Sequence, residues 1–434
     1  MALGLASLNS RIAGLFAKNS VGRAITHLIS GNIIAQIVIF AALPVITRLY
    51  SPEEMSLLAL YVAVLTMVAV VTCLRLEIAI PIPKSDSVAA NLAALAVISS
   101  LVIAVFTCML LILVWVVDFQ YLTGHALWRY AWLFPVGSLF VGLYATAQFW
   151  STRMARYSLL GRTKVYQALV GSATQIIAGL MSIVPLGLLL GHLLMSGAGF
   201  FSLFRMAWKN ERHLVPEVSW ARMKNAFAEY KNFPKFSIIE GLATNGAQQV
   251  TIILIAVFSV GAEVGFFFLA VRALNAPITL VTNAVSQVYY QRAPEHFRKG
   301  TLRQFTRKSL GAIAVVFLPP MLLLGYFSQP IFTFAFGEEW SRSGEMVVTL
   351  MPMLILSLFS ASIGMVMNVT GQQLQMMQLK LLGFALRVGG VLVAGLVFPE
   401  HLIEVYALAS FGVFAIYLTV FYRVSALSIG NETG

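Results

Sequence analysis

Six polar side chains fall on one line through an otherwise apolar stretch. Arg272, Asn275, Thr279, Asn283, Gln287 and Tyr290 are spaced by three or four residues, which puts them on one face of a helix over about 263–290. The apolar stretch before it, 235–258, carries a second line. There Glu240, Thr244 and Gln248 recur every four residues, with Gly241, Asn245 and Gln249 on the adjoining line. A guanidinium in such a line can take an anion through a two-pronged set of donors. Amides and hydroxyls can hold a polar, hydroxyl-rich molecule, and a carboxylate such as Glu240 can carry a proton or a cation, with burial raising its pKa. Facing lipid, each of these groups would cost several kcal/mol, so both lines should face protein or water, most simply an aqueous cavity inside a helical bundle.

Two more arginines belong with these. Arg272 lies about nine residues, roughly 13 Å, below the outer start of its apolar stretch, and Arg387 about eleven residues above the inner start of its own, so both are near mid-depth. Arg75 sits closer to the inner end of a stretch read as 54–80 and is followed by Glu77, with which it can pair locally while snorkelling to the interface. Glu240 is only about 9 Å from the inner surface, and that depth argues against a direct pair with Arg272. A competing reading remains for each. The arginines can lock helices as ion pairs, Glu240 can hydrogen-bond Asn283 or Gln287, and Asn245, Gln248, Gln249, Asn275 and Asn283 can serve as polar glue between helices.

The elements that must position these groups follow from composition. With 59% hydrophobic and 11% charged residues and a mean hydropathy of +0.85, the chain is too apolar for a soluble protein of 434 residues. The expected class is an all-α polytopic membrane protein with about twelve transmembrane helices, the apolar segments running from 25–47 to 402–424. The net charge of +12 is spread along the chain without a nucleic-acid motif and reports topology instead. With the N-terminus inside, almost all Lys and Arg fall on the inner side, whereas the short outer loops hold Arg48, Arg129 and Arg342 among mostly acidic residues. Both termini are therefore expected in the cytoplasm. The expected divisions are an interfacial amphipathic segment at 1–24, a six-helix bundle at 25–207, a charged, solvated cytoplasmic linker at 208–234, a second six-helix bundle at 235–424 and a tail at 425–434. SPEEMSLLALYV (51–62) is echoed by VGAEVGFFFLAV (260–271), and SLLGRTKVYQ (158–167) by NVTGQQLQMM (368–377), at offsets of about 209 and 210. Two echoes at nearly one offset predict two bundles related by a pseudo-twofold axis around a central cavity. Cys73 and Cys108 lie in apolar runs and are expected as buried thiols. No cleaved signal peptide is expected. The histidines have no ligand spacing, so no metal site is expected. Trp115, Trp128, Trp132 and Trp150 lie near span ends, where an aromatic belt forms. The basic clusters 153–164 and 292–308 serve orientation and attraction to anionic lipid head groups.

The blocks ALPVITRLYSPEEMSLLALY (42–61), RLEIAIPIPKSDSVAANLAALA (75–96), YKNFPKFS (230–237), GAEVGFFFLAVRAL through SQVYYQRAPE (261–295) and FGEEWSRSGE (336–345) resemble the Wzx-type oligosaccharide flippases of the multidrug/oligosaccharidyl-lipid/polysaccharide exporter superfamily. The resemblance implies transport of undecaprenyl-diphosphate-linked oligosaccharide from the cytoplasmic to the periplasmic leaflet of the bacterial inner membrane, for O-antigen, capsule or exopolysaccharide. It also implies the lipid-linked sugar as partner, together with a polysaccharide polymerase and a chain-length regulator. A diphosphate crossing hydrocarbon needs fixed cations, a task that suits Arg272, Arg387 and Arg75. Asn245, Gln248, Gln249, Asn275, Asn283 and Gln287 would then line the sugar's path, and Glu240 or Glu77 would couple an ion. No cofactor is expected, and the drive can be a proton or sodium gradient, membrane potential or product consumption. Two alternatives stay open. One is a cation-coupled drug exporter of the same superfamily, disfavoured by the mostly cationic interior. The other is a membrane-embedded polymerase or ligase, disfavoured by outer loops too short to build a catalytic pocket. No P-loop is present, so ATP hydrolysis is not expected.

Overall fold

A computed structural model of the chain describes residues 20–118, 125–259 and 261–427, with side chains from residue 30 onward. Most of the amphipathic segment expected at 1–24 and of the tail expected at 425–434 lies outside the described residues. Every regular element among the described residues is helical, and none is a strand. Long apolar runs can close their backbone hydrogen bonds only within a segment when lipid offers no partners, and helices do this.

The principal helices are α1 (Ser20–Leu49), α2 (Pro52–Thr72), α3 (Asp86–Val116), α4 (Leu133–Arg153), α5 (Tyr157–Leu180), α6 (Leu186–Gly197), α7 (Gly199–Glu211), α8 (Trp220–Tyr230), α9 (Ile238–Phe258), α10 (Glu263–Arg298), α11 (Leu302–Tyr326), α12 (Ser328–Phe336), α13 (Ser341–Ile363), α14 (Val366–Val369), α15 (Gln373–Val397) and α16 (Leu402–Val424). Eleven stretches among the described residues are long and apolar enough to cross a membrane. The expected segment at 163–184 corresponds to α5, which at 24 residues is about 36 Å long. It is not one of the eleven, because Thr163, Gln167, Ser172 and Gln175 interrupt its apolar run, and all four are buried.

The described residues form two compact units, one within 1–49 and 64–241, the other within 50–63 and 242–434. In the first unit α1 and α5, α5 and α6, and α3 and α4 pack as pairs. Residues 208–234 belong to this unit and are not an extended linker. After α7 comes a 3₁₀ turn over Arg212–Glu217, then α8, which buries Met223 and Ala226, the latter in a cluster with Leu76, Ile80, Leu92, Trp150 and Leu214. Asn91 of α3 pins the approach to α8. Its amide donates to the Glu217 carbonyl (3.2 Å) and its carbonyl accepts from the Ser219 N–H (3.2 Å). Ser219 in turn caps α8 by accepting from the Arg222 N–H.

The helix expected over 54–80 stops earlier, at Thr72. Leu74 and Arg75 both take left-handed backbone angles (φ 51° and 59°), and Leu76–Ala79 form a 3₁₀ turn. Two consecutive side chains in that region end a helix however apolar the residues beyond it.

In the second unit α13 is central and packs on α10, α12 and α16, while α15 lies against α16. Trp340 is wholly buried beside Phe266, and Ser343 Oγ donates to the Phe266 carbonyl (3.0 Å). At the other end Tyr289, Ala293, Ile363, Met367 and Phe421 form a second buried cluster. The start of α2 docks here on the start of α10. Gly265 donates its N–H to Ser56 Oγ (2.8 Å), and a Cβ at Gly265 would stand 2.0 Å from the Pro52 carbonyl oxygen.

Candidate functional site

The line on α10 follows a change in burial along the helix. Its first half, from Val264 to Leu274, is mostly buried in the second unit, with Arg272 and Asn275 half-buried at the transition. Beyond them Thr279, Asn283, Gln287 and Tyr290 are all exposed, while Tyr289 and Ala293 beside that line are buried and Ala284 and Val288 on the far side are exposed. The polar line picked out by the sequence pattern is thus exposed along the second half of the helix, and packing there is confined to the edge around Tyr289 and Ala293.

Arg272 makes no ion pair or hydrogen bond among the described residues. Its guanidinium carbon lies 5.7 Å from the centre of the Phe268 ring, one turn earlier on the same helix. Arg387, on α15, is also half-buried and without a carboxylate among the described residues. It lies 4.5 Å from the Phe414 ring centre of α16, its charge reaches the Tyr406 and Tyr417 phenols, and its Nε is buried without a partner. The ion-pair alternative for these two arginines thus finds no acid among the described residues. What steadies them is the negative face of an aromatic ring, an interaction worth about 0.5–2 kcal/mol. Their remaining donors stay open to an anion.

The polar groups of α9 are less uniform. Thr244 is exposed, Asn245 and Gln248 are half-buried, and Gln249 has a buried side-chain carbonyl without a partner. Glu240, proposed from sequence as a buried coupling group, is exposed.

Arg75 and Glu77 form a separate arrangement in the first unit. Their nearest polar atoms are 3.9 Å apart, beyond hydrogen-bond distance, and Arg75 Nε and Glu77 Oε2 are each buried without a partner. Burial pushes the Glu77 carboxyl above the usual carboxylate range, against the weaker opposing pull of a backbone hydrogen bond and of Arg75. The Arg75 guanidinium packs directly on Gly241, where an added Cβ would lie 1.9 Å from Arg75 Nη2. The glycine of the α9 line is thus the seat of a cation, a relation between positions 75 and 241 that spacing does not reveal.

Part of the basic cluster at 153–164 proves to be structural. Arg153 donates to Asp86 Oδ1 through Nε (2.9 Å) and Nη2 (2.7 Å), and to the Ile80 (3.2 Å) and Pro83 (2.6 Å) carbonyls through Nη1. Arg156 grips Glu211 with both Nη groups, and the indole N–H of Trp150 donates to the same carboxylate (3.2 Å). Trp150, grouped by sequence with an aromatic belt, is 7% exposed, whereas Trp115 and Trp132 are 68% and 52% exposed. The available signal was the pair of acids Asp86 and Glu211 set among so many cations. Cys73 is buried against Ser100, Thr146 and the Gly142 carbonyl, but Cys108, also expected inside, is exposed. Among the described residues no group of His, Cys, Asp and Glu could hold a metal ion.

Solved structures share this architecture. The inward closed form of the lipid II flippase MurJ matches 93% of this chain and 89% of its own, with a TM-score of 0.69 at 13% identity. An inward-facing multidrug resistance transporter of the MATE family in the MOP superfamily matches 90% and 95%, at TM-score 0.63 and 14% identity. A MOP superfamily transporter from Pyrococcus furiosus matches 94% and 97%, at 0.51 and 13%. At such identities the likeness speaks for the fold, and the chain is a multi-pass helical membrane protein with the MurJ- and MATE-like fold. A profile described as polysaccharide biosynthesis protein matches residues 45–345, well over half of the sequence, and the chain belongs to that family. Family and fold together bear out the resemblance to Wzx-type flippases of the superfamily. No curated protein sequence matches the chain.

Proposed function

We propose that the chain moves undecaprenyl-diphosphate-linked oligosaccharide from the cytoplasmic to the periplasmic leaflet of a bacterial inner membrane by alternating access, supplying O-antigen, capsule or exopolysaccharide synthesis. The observation that carries this reading is a family assigned to polysaccharide biosynthesis whose member here holds two half-buried arginines with no acid beside them among the described residues. Arg272 and Arg387 compensate the diphosphate as it leaves the head-group region, with Arg75 as a further cation in the first unit. Asn275, Asn283 and Gln287, with Asn245, Gln248 and Gln249, present donors and acceptors to sugar hydroxyls, and the lipid tail stays in hydrocarbon. The skew of Lys and Arg supports cytoplasmic termini. A proton or sodium gradient, through Glu240 or Glu77, can drive the cycle, and the flipped product passes to a polymerase and a chain-length regulator.

The test is a deletion strain scored for lipid-linked oligosaccharide trapped in the cytoplasmic leaflet and complemented at matched protein level. Arg272→Ala abolishes complementation, and Arg272→Lys restores part of it, because the charge is kept and the fork is lost. Full export by both Arg272→Ala and Arg387→Ala overturns the anion-site reading. A drug exporter is the second reading, favoured by the likeness to the MATE transporter. It gains if the deletion raises sensitivity to organic cations and leaves the lipid-linked sugar untrapped.

A further inference from the structure

Helix α8 has three distinct sides. One is packed, where Met223, Ala226 and the half-buried Tyr230 face the core of the first unit. A second is polar and exposed, formed by Arg222, Asn225 and Glu229. The third is a ridge of Trp220, Lys224, Phe227 and Lys231 at spacings of four, three and four, which stacks them along one edge of the helix. Lys231 follows the last turn but keeps right-handed helical angles, so the ridge is continuous. All four residues are exposed, Trp220 at 73% and Phe227 at 40%. Neither lysine has an acidic partner among the described residues. An indole and a phenyl left in water, alternating with unpaired ammonium groups, is the pattern of a helix lying in the plane of a bilayer surface. The rings reach the acyl boundary and the lysines meet phosphate. The polar side, about half a turn away, then faces water. Nearby Trp208 and Phe236 are exposed at 55% and 58%, which continues the aromatic character at the two ends of the segment.

We propose that the Trp220–Lys224–Phe227–Lys231 ridge is an interfacial docking surface for anionic phospholipid of the surrounding bilayer. Positive charge without local compensation selects an anionic head group over a zwitterionic one, and each lysine near such a surface raises affinity about five-fold. This inference does not depend on what the chain transports.

The experiment uses the full-length chain in nanodiscs of phosphatidylcholine with or without phosphatidylglycerol. In a Cys108→Ser background, with Cys73 buried, an environment-sensitive fluorophore is placed at Phe227→Cys or at Asn225→Cys. The label at 227 is quenched by brominated acyl chains and shielded from aqueous iodide, while the label at 225 behaves in the opposite way. Phosphatidylglycerol retained by the intact protein, counted by native mass spectrometry, falls about 25-fold in affinity for Lys224→Gln/Lys231→Gln, two five-fold steps. It is unchanged for Asn225→Ala. Equal iodide access at 227 and 225 overturns the proposal, as does unchanged phosphatidylglycerol affinity in the double variant.

Discussion

Adding one methyl group at Gly265 tests how tightly the second unit is built. The Cβ would stand 2.0 Å from the carbonyl oxygen of Pro52, while ordinary contact begins near 3.4 Å, so about 1.4 Å of relief is needed. The obstacle is backbone, which cannot swing aside as a side chain does, so α10 must back away from the start of α2. That movement also stretches the 2.8 Å hydrogen bond from the Gly265 N–H to Ser56 Oγ. The N–H lies in the first turn of α10 and has no acceptor within its own helix. Overpacking costs about 1–3 kcal/mol and an orphaned buried donor about a further 1–3 kcal/mol, so Gly265→Ala should destabilise by about 2–6 kcal/mol. Ser56→Ala removes only the acceptor and should cost about 1–2 kcal/mol. Thermal unfolding in detergent, read by intrinsic fluorescence and by the monodisperse fraction after heating, gives the ranking wild type, Ser56→Ala, Gly265→Ala. A Gly265→Ala protein as stable as wild type, or more stable than Ser56→Ala, would refute the close-approach argument.

The Arg156–Glu211 grip is mostly shielded from water, with side chains 19% and 12% exposed. A double-mutant cycle with Arg156→Ala and Glu211→Gln should therefore return a coupling of about 2 kcal/mol in unfolding experiments, and a value near zero would reduce it to a surface contact. Glu77 supplies a pH test. A carboxyl whose folded pKa is raised favours its neutral form, so its contribution to stability is present at low pH and is lost as pH rises through the folded value. Glu77→Gln should accordingly gain stability relative to wild type as pH rises above the ordinary carboxylate range, and a gain that instead grows toward low pH would contradict the assignment.

Much of the fold was legible because hydropathy and helical period are properties of local sequence. Apolar length located the spans, and the three-and-four spacing of Asn275, Thr279, Asn283 and Gln287 found a polar line on α10 that is exposed beyond Asn275. The arginines at 272 and 387 could be picked out for the same reason, since a guanidinium inside an apolar run is expensive wherever the chain goes. What escaped depended on contacts distant in sequence or on backbone angles. Composition stays apolar through Leu76 and Ile80, so nothing in it marks the left-handed turn at Leu74 and Arg75 that stops α2 early. The charges of 208–234 read as solvated, yet Met223 and Ala226 are enough to dock α8 on the core. The polar glycine line of α9 gave no hint that Gly241 receives the Arg75 guanidinium.

The aromatic rings beneath Arg272 and Arg387 have a consequence for discrimination. A carboxylate neighbour would cancel the arginine's field and leave a neutral dipole, whereas a phenyl face restrains the side chain and leaves the whole unit charge visible at a distance. On the proposed reading such a wall would sort visitors by sign before any hydrogen bond forms, repelling cations and admitting anions without regard to their detailed shape. Introducing an acid at Phe268 or Phe414 would erase that preference while leaving each arginine where it is.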